Sequence, residues 1–229
     1  MAQNAYRPPT AFSIMPPVVK NLLIINGLVF LAQIASGGYP PHPASFVNRW
    51  FALWPAGLPD QMPQLFWPWQ LVTTAFLHGS LGHLFFNMLG LWMFGMRIEH
   101  VLGSRRFAFY YFACVVGASL LQLLVVSAPF LFAMGDASIV PTLGASGGVL
   151  GILAAFGLLY PREPIYLYFF VPVQARWVVL GLAALDLYAG VTGTQAGVAN
   201  FAHLGGMLTG FLLIQHWRGR LPWSPRRRA

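Results

Sequence analysis

Six apolar stretches, each close to the length of a bilayer crossing, constrain this chain more than any other feature. They run from about Lys20 to Ser36, Leu81 to Ile98, Phe107 to Ala128, Ser146 to Tyr160, Val178 to Thr192 and Ala199 to Trp217. A helix needs about 20 predominantly apolar residues to cross roughly 30 Å of hydrocarbon. Backbone surrounded by lipid must bond to itself, which favours helices over open sheets. Charged residues make up only 8% of the 229, and 57% are hydrophobic, whereas a soluble domain carries about 25% charge. A water-facing coat cannot be built from this chain, which excludes a soluble enzyme or a nucleic-acid binder. The pattern predicts an all-α polytopic membrane protein: a six-helix domain over residues 18–217, a flexible tail over 1–17 and a basic tail over 218–229.

The net charge of +8 needs an explanation other than nucleic acid. Of the 13 Lys and Arg residues, all but Arg49 fall on the N-terminal tail, the second-to-third and fourth-to-fifth turns, and the C-terminal tail. With six spans those segments share one side, and an excess of cations marks the cytoplasmic side. The expectation is a multi-pass protein of a bacterial cytoplasmic membrane with both termini cytoplasmic. The first stretch lacks a basic leader and follows a Pro-rich segment, so it reads as a retained anchor. The Pro225–Arg228 cluster reads as a solvated or lipid-facing tail. Cys114, the only cysteine, lies mid-stretch and reads as a packing residue. The loop from about Gly37 to Ser80 holds Trp50, Phe51, Trp54, Phe66, Trp67 and Trp69. These suit short interfacial helices at the headgroup level, serving as an aromatic belt or in admitting a substrate.

Polar groups inside spans are costly and therefore informative. The fourth stretch opens Gly144-Ala145-Ser146-Gly147-Gly148 and continues to Gly151. About 15 residues at 1.5 Å rise give roughly 22 Å, less than the hydrocarbon thickness, so its outer end lies below the surface. Ser146 would then sit at a sunken helix N-terminus, where free N–H groups and the positive dipole end favour an oxyanion. The sixth stretch carries His203 near its outer end. Gly147 and Gly151 on one helix, and Gly206 and Gly210 on the other, allow close approach, bringing Ser146 to His203. The second stretch contributes His78, His83 and Asn87. His83 and Asn87 share a helical face as hydrogen-bond donors suited to a tetrahedral oxyanion. His42, His100 and His216 read as solvated. Asp186, in the fifth stretch, reads as a structural tie to a neighbouring helix or to the following loop, since Ser-His chemistry can run without a carboxylate.

These residues resemble the rhomboid intramembrane serine proteases. The resemblance covers nearly the whole chain. Its carriers are Gly144-Ala145-Ser146-Gly147, Ala202-His203 followed by Gly206 and Gly210, the series His78, His83, Asn87, and Glu99, Gly103, Ser104 and Phe107. It implies that Ser146 is the nucleophile and His203 the general base of a Ser-His dyad, with His83, Asn87 and the Ser146 N–H stabilising the oxyanion. Gly144, Gly147, Gly151, Gly206 and Gly210 would pack the helices at the site. Two positions depart from the pattern. Gln70 follows Trp69 where many members have Trp-Arg, and Leu150 stands where some have a Tyr stacked on the catalytic His, so the His203 ring must be supported from elsewhere.

The implied activity is cleavage of single-span transmembrane substrates near their external end, with membrane lipids as the surroundings and no metal, cofactor, nucleotide or nucleic acid. Gly-x-Ser-x-Gly is also the nucleophile elbow of α/β-hydrolases, but that elbow needs a preceding strand in a soluble sheet. A metalloprotease reading lacks His-Glu-x-x-His. From other classes, a small transporter would show paired charges along a path and internal two-fold similarity, and a non-catalytic relative would bind and escort transmembrane helices.

Overall fold

A computed structural model describes residues 15–37, 40, 42, 45–58, 65–132, 139–167, 170–195 and 198–221. Residues 1–14 of the expected 1–17 tail and the Pro225–Arg228 cluster lie outside these residues, and α1 already begins at Pro17. The elements run α1 (Pro17–Gly37), α2 (Phe46–Phe51), α3 (Gln70–Thr73), α4 (Leu81–Gly90), α5 (Met96–Leu102), α6 (Ser104–Leu131), α7 (Ser146–Leu159), β1 (Pro164–Leu167), β2 (Val171–Gln174), α8 (Ala175–Thr192) and α9 (Asn200–Trp217). A π-helical segment, Leu91–Gly95, joins α4 to α5 into one continuous helical unit. The protein is therefore a helical membrane bundle, as the apolar stretches imply. Among the described residues three helices, α1, α6 and α8, are both long and apolar enough to cross a bilayer. The α7 helix is apolar throughout but only 14 residues long.

Lipid is the solvent implied by the surface. Ile24, Leu28 and Leu31 of α1, Leu120 and Leu124 of α6, and Trp177, Leu180, Leu185, Tyr188 and Val191 of α8 are exposed. Such broad apolar faces are rare on soluble monomers. The interior is built around α6, α7 and α9, where Phe107, Tyr110, Tyr111, Cys114, Ile152 and Ala155 are fully buried. Cys114 is a packing residue here, its sulfur against Gly151.

Small residues bring these three helices together. A side chain on Gly147 would strike Ala118 of α6, one on Gly206 would strike the Gly147 backbone, and one on Gly205 would lie 2.7 Å from the Gly117 carbonyl. Tyr110 Oη donates to the Gly151 carbonyl at 2.6 Å, a bond between α6 and α7 that a bulkier residue on α9 at Gly210 would obstruct.

Two polar clusters fix the ends. At one end, the Glu99 carboxylate accepts from Val18 N (3.0 Å) and Val19 N (2.8 Å), two unsatisfied donors of the first turn of α1, and from Ser104 Oγ at 2.7 Å. Arg97 pairs with Glu163 at 2.8 Å and lies 4.4 Å from the Tyr160 ring centroid. Arg218 Nη2 donates to the Leu158 carbonyl at 2.9 Å. At the other end, Gln33 at the close of α1 donates to Asn48 Oδ1 (2.7 Å) and accepts from His78 N (2.9 Å).

The first long loop is held by Gln70. Its Oε1 accepts from Trp54 N at 3.2 Å, and its Nε2 donates to Leu65 O at 3.0 Å and Trp50 O at 3.4 Å. The residue that breaks the Trp-Arg pattern is thus fully buried and ties the loop from inside. Trp50 of α2 and the residues leading into α3 form an aromatic stack, Trp69 on Trp67 at 5.0 Å and Trp67 on Trp50 at 6.4 Å. Residues 164–174, read as a plain turn, instead hold the antiparallel pair β1–β2, registered Pro164↔Gln174 to Leu167↔Val171. Its two prolines and an apolarity broken only at Gln174 hid the period-two alternation by which a strand is recognised.

Candidate active site

The N-termini of α4, α7 and α9 converge at the end of the bundle away from Arg97 and Arg218. The α7 helix starts at Ser146 after Ala145, which has no polar side chain to cap it, so the first N–H groups stay directed at whatever lies before them. The approach is set by backbone pairing. Leu53 and Thr142 exchange N–H···O bonds of 3.0 and 2.9 Å, Gly144 N donates to Thr74 O at 3.0 Å, and Thr74 Oγ1 donates to Thr142 O at 2.6 Å. The first loop and the segment leading to Ser146 are therefore one hydrogen-bonded structure.

Ser146 Oγ lies 2.9 Å from His203 Nε2. This distance follows from the α7–α9 contact, because Gly147 is the next residue after Ser146 and Gly206 stands one turn after His203. The other face of the imidazole is also occupied: His203 Nδ1 is 2.9 Å from Asp186 Oδ1 of α8. Asp186 does tie its helix to a neighbour, as expected, but the tie is to His203 itself. Support for the ring thus comes from α8, where Leu150 offers none.

His83 approaches from α4. Gly79 N donates to its Nδ1 at 3.4 Å, which leaves Nε2 as the protonated nitrogen. That nitrogen faces Gly144: an added Cβ there would lie 2.7 Å from His83 Nε2 and 3.7 Å from Ser146 Oγ. A donor and the hydroxyl flank one point. Gly144 also has φ +133°, a region that disfavours side chains. Among the glycines expected to pack helices at the site, Gly144 packs against His83 of α4. Asn87 is buried on the same face, with its Nδ2 bonded to the His83 carbonyl at 2.9 Å. Ser80 Oγ accepts from His83 N at 3.1 Å and caps α4.

Behind Ser146 a cavity of about 20 Å³ is lined by Thr74, Ser119, Thr142, Gly144 and Ala202 among others, room for about one water. Gln122 of α6 reaches both neighbours, donating to Thr142 Oγ1 at 3.3 Å and accepting from Ala202 N at 3.2 Å. The sequence reading missed Gln122 and gave Asp186 no place at the site. For Asp186 a signal existed: it stands six residues before the end of α8, near the level at which α9 begins. For Gln122, one amide among the polar residues of a 28-residue helix, none did. Among the described residues no group of His, Cys, Asp and Glu has the composition of a metal site.

The Ser-His contact at a helix N-terminus has the composition for nucleophilic chemistry. The Rhomboid domain matches residues 66–218, about two thirds of the chain. RHOMBOID-like protein 12, mitochondrial, of Arabidopsis thaliana is 35% identical over 143 residues, covering 59% of this chain and 42% of that protein. Rhomboid protease GluP of Bacillus subtilis is 32% identical over 62% of this chain and 25% of its own length. Rhomboid protease AarA of Providencia stuartii is 29% identical over 63% of this chain and 54% of its own. The chain spans about a quarter to a half of the length of these relatives. With Ser146, His203, His83 and Asn87 all inside the matched region, the chain belongs to the rhomboid family of integral membrane proteins.

Proposed function

We propose that this protein is an intramembrane serine endopeptidase that cleaves the transmembrane segments of membrane-anchored proteins near their external end. The observation that carries the proposal is the 2.9 Å contact between Ser146 Oγ and His203 Nε2 at the uncapped start of α7, inside an apolar bundle. Two bacterial relatives named as rhomboid proteases add to it.

In this reading His203 Nε2 accepts the Ser146 proton as Oγ attacks the scissile carbonyl. The imidazolium then gives that proton to the leaving amine, and water enters to hydrolyse the acyl-enzyme by the same route. The Ser146 N–H and His83 Nε2–H face the developing oxyanion; a single such donor contributes about 3 to 4 kcal/mol in the transition state. Asn87 would join them by turning its amide from the His83 carbonyl. A substrate helix must unwind locally, because a helical peptide bond is shielded. All six helical units cross the membrane in this proposal, with the site toward the outside of a bacterial cytoplasmic membrane and the Arg-rich end in the cytoplasm. The grouping of Arg97, Arg162, Arg176 and Arg218 at the end away from Ser146 supports that orientation.

The test is Ser146→Ala, which should abolish both cleavage of a single-span substrate in liposomes and covalent labelling by a fluorophosphonate, without changing the melting temperature. Undiminished cleavage by that variant ends the proposal.

A further inference from the structure

A buried carboxylate in an apolar bundle needs a partner, and among the described residues Asp186 finds it in His203: its Oδ1 lies 2.9 Å from His203 Nδ1. The side chains of Asp186 and His203 are 10% and 17% exposed. The other imidazole nitrogen is engaged by Ser146 Oγ, also at 2.9 Å. Three side chains from α7, α8 and α9 therefore form an unbroken hydroxyl–imidazole–carboxylate line.

We infer that Asp186 is a positioning residue for the general base: it holds His203 in the tautomer with the proton on Nδ1, leaving Nε2 free to take the proton of Ser146. This rests on the reading of Ser146 and His203 as nucleophile and base, and extends their dyad to a Ser-His-Asp triad. An ionised carboxylate can only accept, so the Nδ1 it faces must donate. A neutral imidazole carries one proton, so Nε2 is then an acceptor. When Nε2 takes the serine proton, the adjacent carboxylate stabilises the imidazolium, and the Nδ1 proton stays on the ring throughout.

The placement is built into α8 independently of the bond. Apart from Ala175 at its start, the buried residues of this helix are Asp186 and Ala189. Gly190, four residues after Asp186 and on the same face, lets the Phe201 ring of α9 approach: an added Cβ would lie 3.0 Å from it and 3.4 Å from Asn200 Cβ. That fit sets the rotation of α8 and aims Asp186 at His203. The neighbouring helices bring few other ionisable groups to this point. On α9 it is His203, and on α4 it is His83, whose Nδ1 is occupied by Gly79 N. The arrangement makes competence of the base depend on the docking of α8, the helix with the smallest buried fraction among the three long apolar ones.

The decisive variant is Asp186→Asn, nearly the same in shape and still able to hydrogen-bond. A residue that merely ties two helices together would tolerate it. A tautomer-setting residue would not, because the amide can donate to Nδ1 and shift the ring proton to Nε2, where it blocks Ser146. The expected result is a fall in kcat of about 10²- to 10⁴-fold with KM changed by less than about threefold, a parallel fall in fluorophosphonate labelling rate, and an unchanged melting temperature. Asp186→Glu should recover part of the activity.

A second measurement needs no activity: ¹⁵N spectra of histidine-labelled protein should show His203 protonated on Nδ1 in the wild type and on Nε2 in Asp186→Asn. Near-wild-type kcat in Asp186→Asn, a change confined to KM, or a wild-type His203 protonated on Nε2 would each overturn the inference. A wild-type protein inert to substrate and fluorophosphonate would instead remove the protease reading, while the nitrogen spectra would still decide whether Asp186 sets the tautomer.

Discussion

Gly206→Ala adds one methyl group and should do disproportionate damage. The new carbon would fall on the Gly147 carbonyl oxygen, with the carbonyl carbon 2.7 Å and the Gly147 Cα 3.0 Å away. All three atoms are backbone, so no rotamer change relieves the overlap. Carbon atoms do not approach this closely, and α7 and α9 would have to part by more than an ångström at their crossing. Ser146 and His203 flank that crossing, and their 2.9 Å contact would stretch to about 4 Å, beyond a hydrogen bond. Overpacking of this kind costs about 1 to 3 kcal/mol of stability. A 1 Å misplacement of reacting groups costs roughly 10²-fold in rate. The assay is cleavage of a single-span substrate in liposomes, with thermal unfolding in detergent alongside. Gly181→Ala is the control, because nothing lies within 4 Å of a Cβ there. It should leave activity unchanged and gain up to about 1 kcal/mol from helix propensity. A Gly206→Ala protein with both wild-type rate and wild-type melting temperature would refute the claim that the α7–α9 approach sets the Ser-His distance.

Two further substitutions test the frame around the site. Glu99→Gln keeps the shape but loses the charge that binds Val18 N, Val19 N and Ser104 Oγ; bonds to charged groups are worth about 1.5 to 3 kcal/mol each against roughly 1 for neutral ones, so the melting temperature should fall, with kcat little changed in the folded fraction. Gln70→Ala removes the acceptor for Trp54 N and the donor to Leu65 O and Trp50 O. It should cost about 1 to 3 kcal/mol for the buried groups left unpaired and raise protease sensitivity within residues 45–58, read by limited proteolysis.

Hydropathy exposed the helical scaffold well. Each apolar stretch appears as a helix or, for Leu81 to Ile98, as α4, the π-helical segment and α5, because a lipid-facing helix must be apolar over its length. Ser146 and His203 were visible for the complementary reason: a polar group in such a stretch is expensive and rarely incidental. Asp186 was also visible as an acidic residue in an apolar run, but its partner was not. Helix rotation decides whether residue 186 faces α9 or lipid, and here a contact between Gly190 and Phe201 sets it. Gln70 was visible only as a departure from a pattern. Its function lies in bonds to backbone atoms at Trp50, Trp54 and Leu65, which carry no side-chain signature. The β1–β2 pair was hidden because both its faces are apolar.

The length of α7 links scaffold and chemistry. At 1.5 Å per residue its 14 residues span about 21 Å, several ångströms less than the hydrocarbon core. A helix so short must either thin the membrane or have its missing length replaced by other backbone. Here that backbone is the segment Thr142–Ala145, hydrogen-bonded to Leu53 and Thr74, which satisfies donors and acceptors that lipid would leave bare. The first N–H groups of α7, at Ser146, Gly147 and Gly148, thereby lie next to a cavity of about 20 Å³ walled partly by Thr74, Ser119 and Thr142, and the proposed topology would sink them below the headgroups. Lengthening α7 by one turn before Ser146, with Ala replacing the Pro141–Leu143 segment, would remove the Thr142 bonds and bury those N–H groups in the helix. On the proposed mechanism, substrate cleavage in liposomes would then be lost even with the Ser-His pair still in contact; wild-type cleavage by that variant would refute the role given to the helix start.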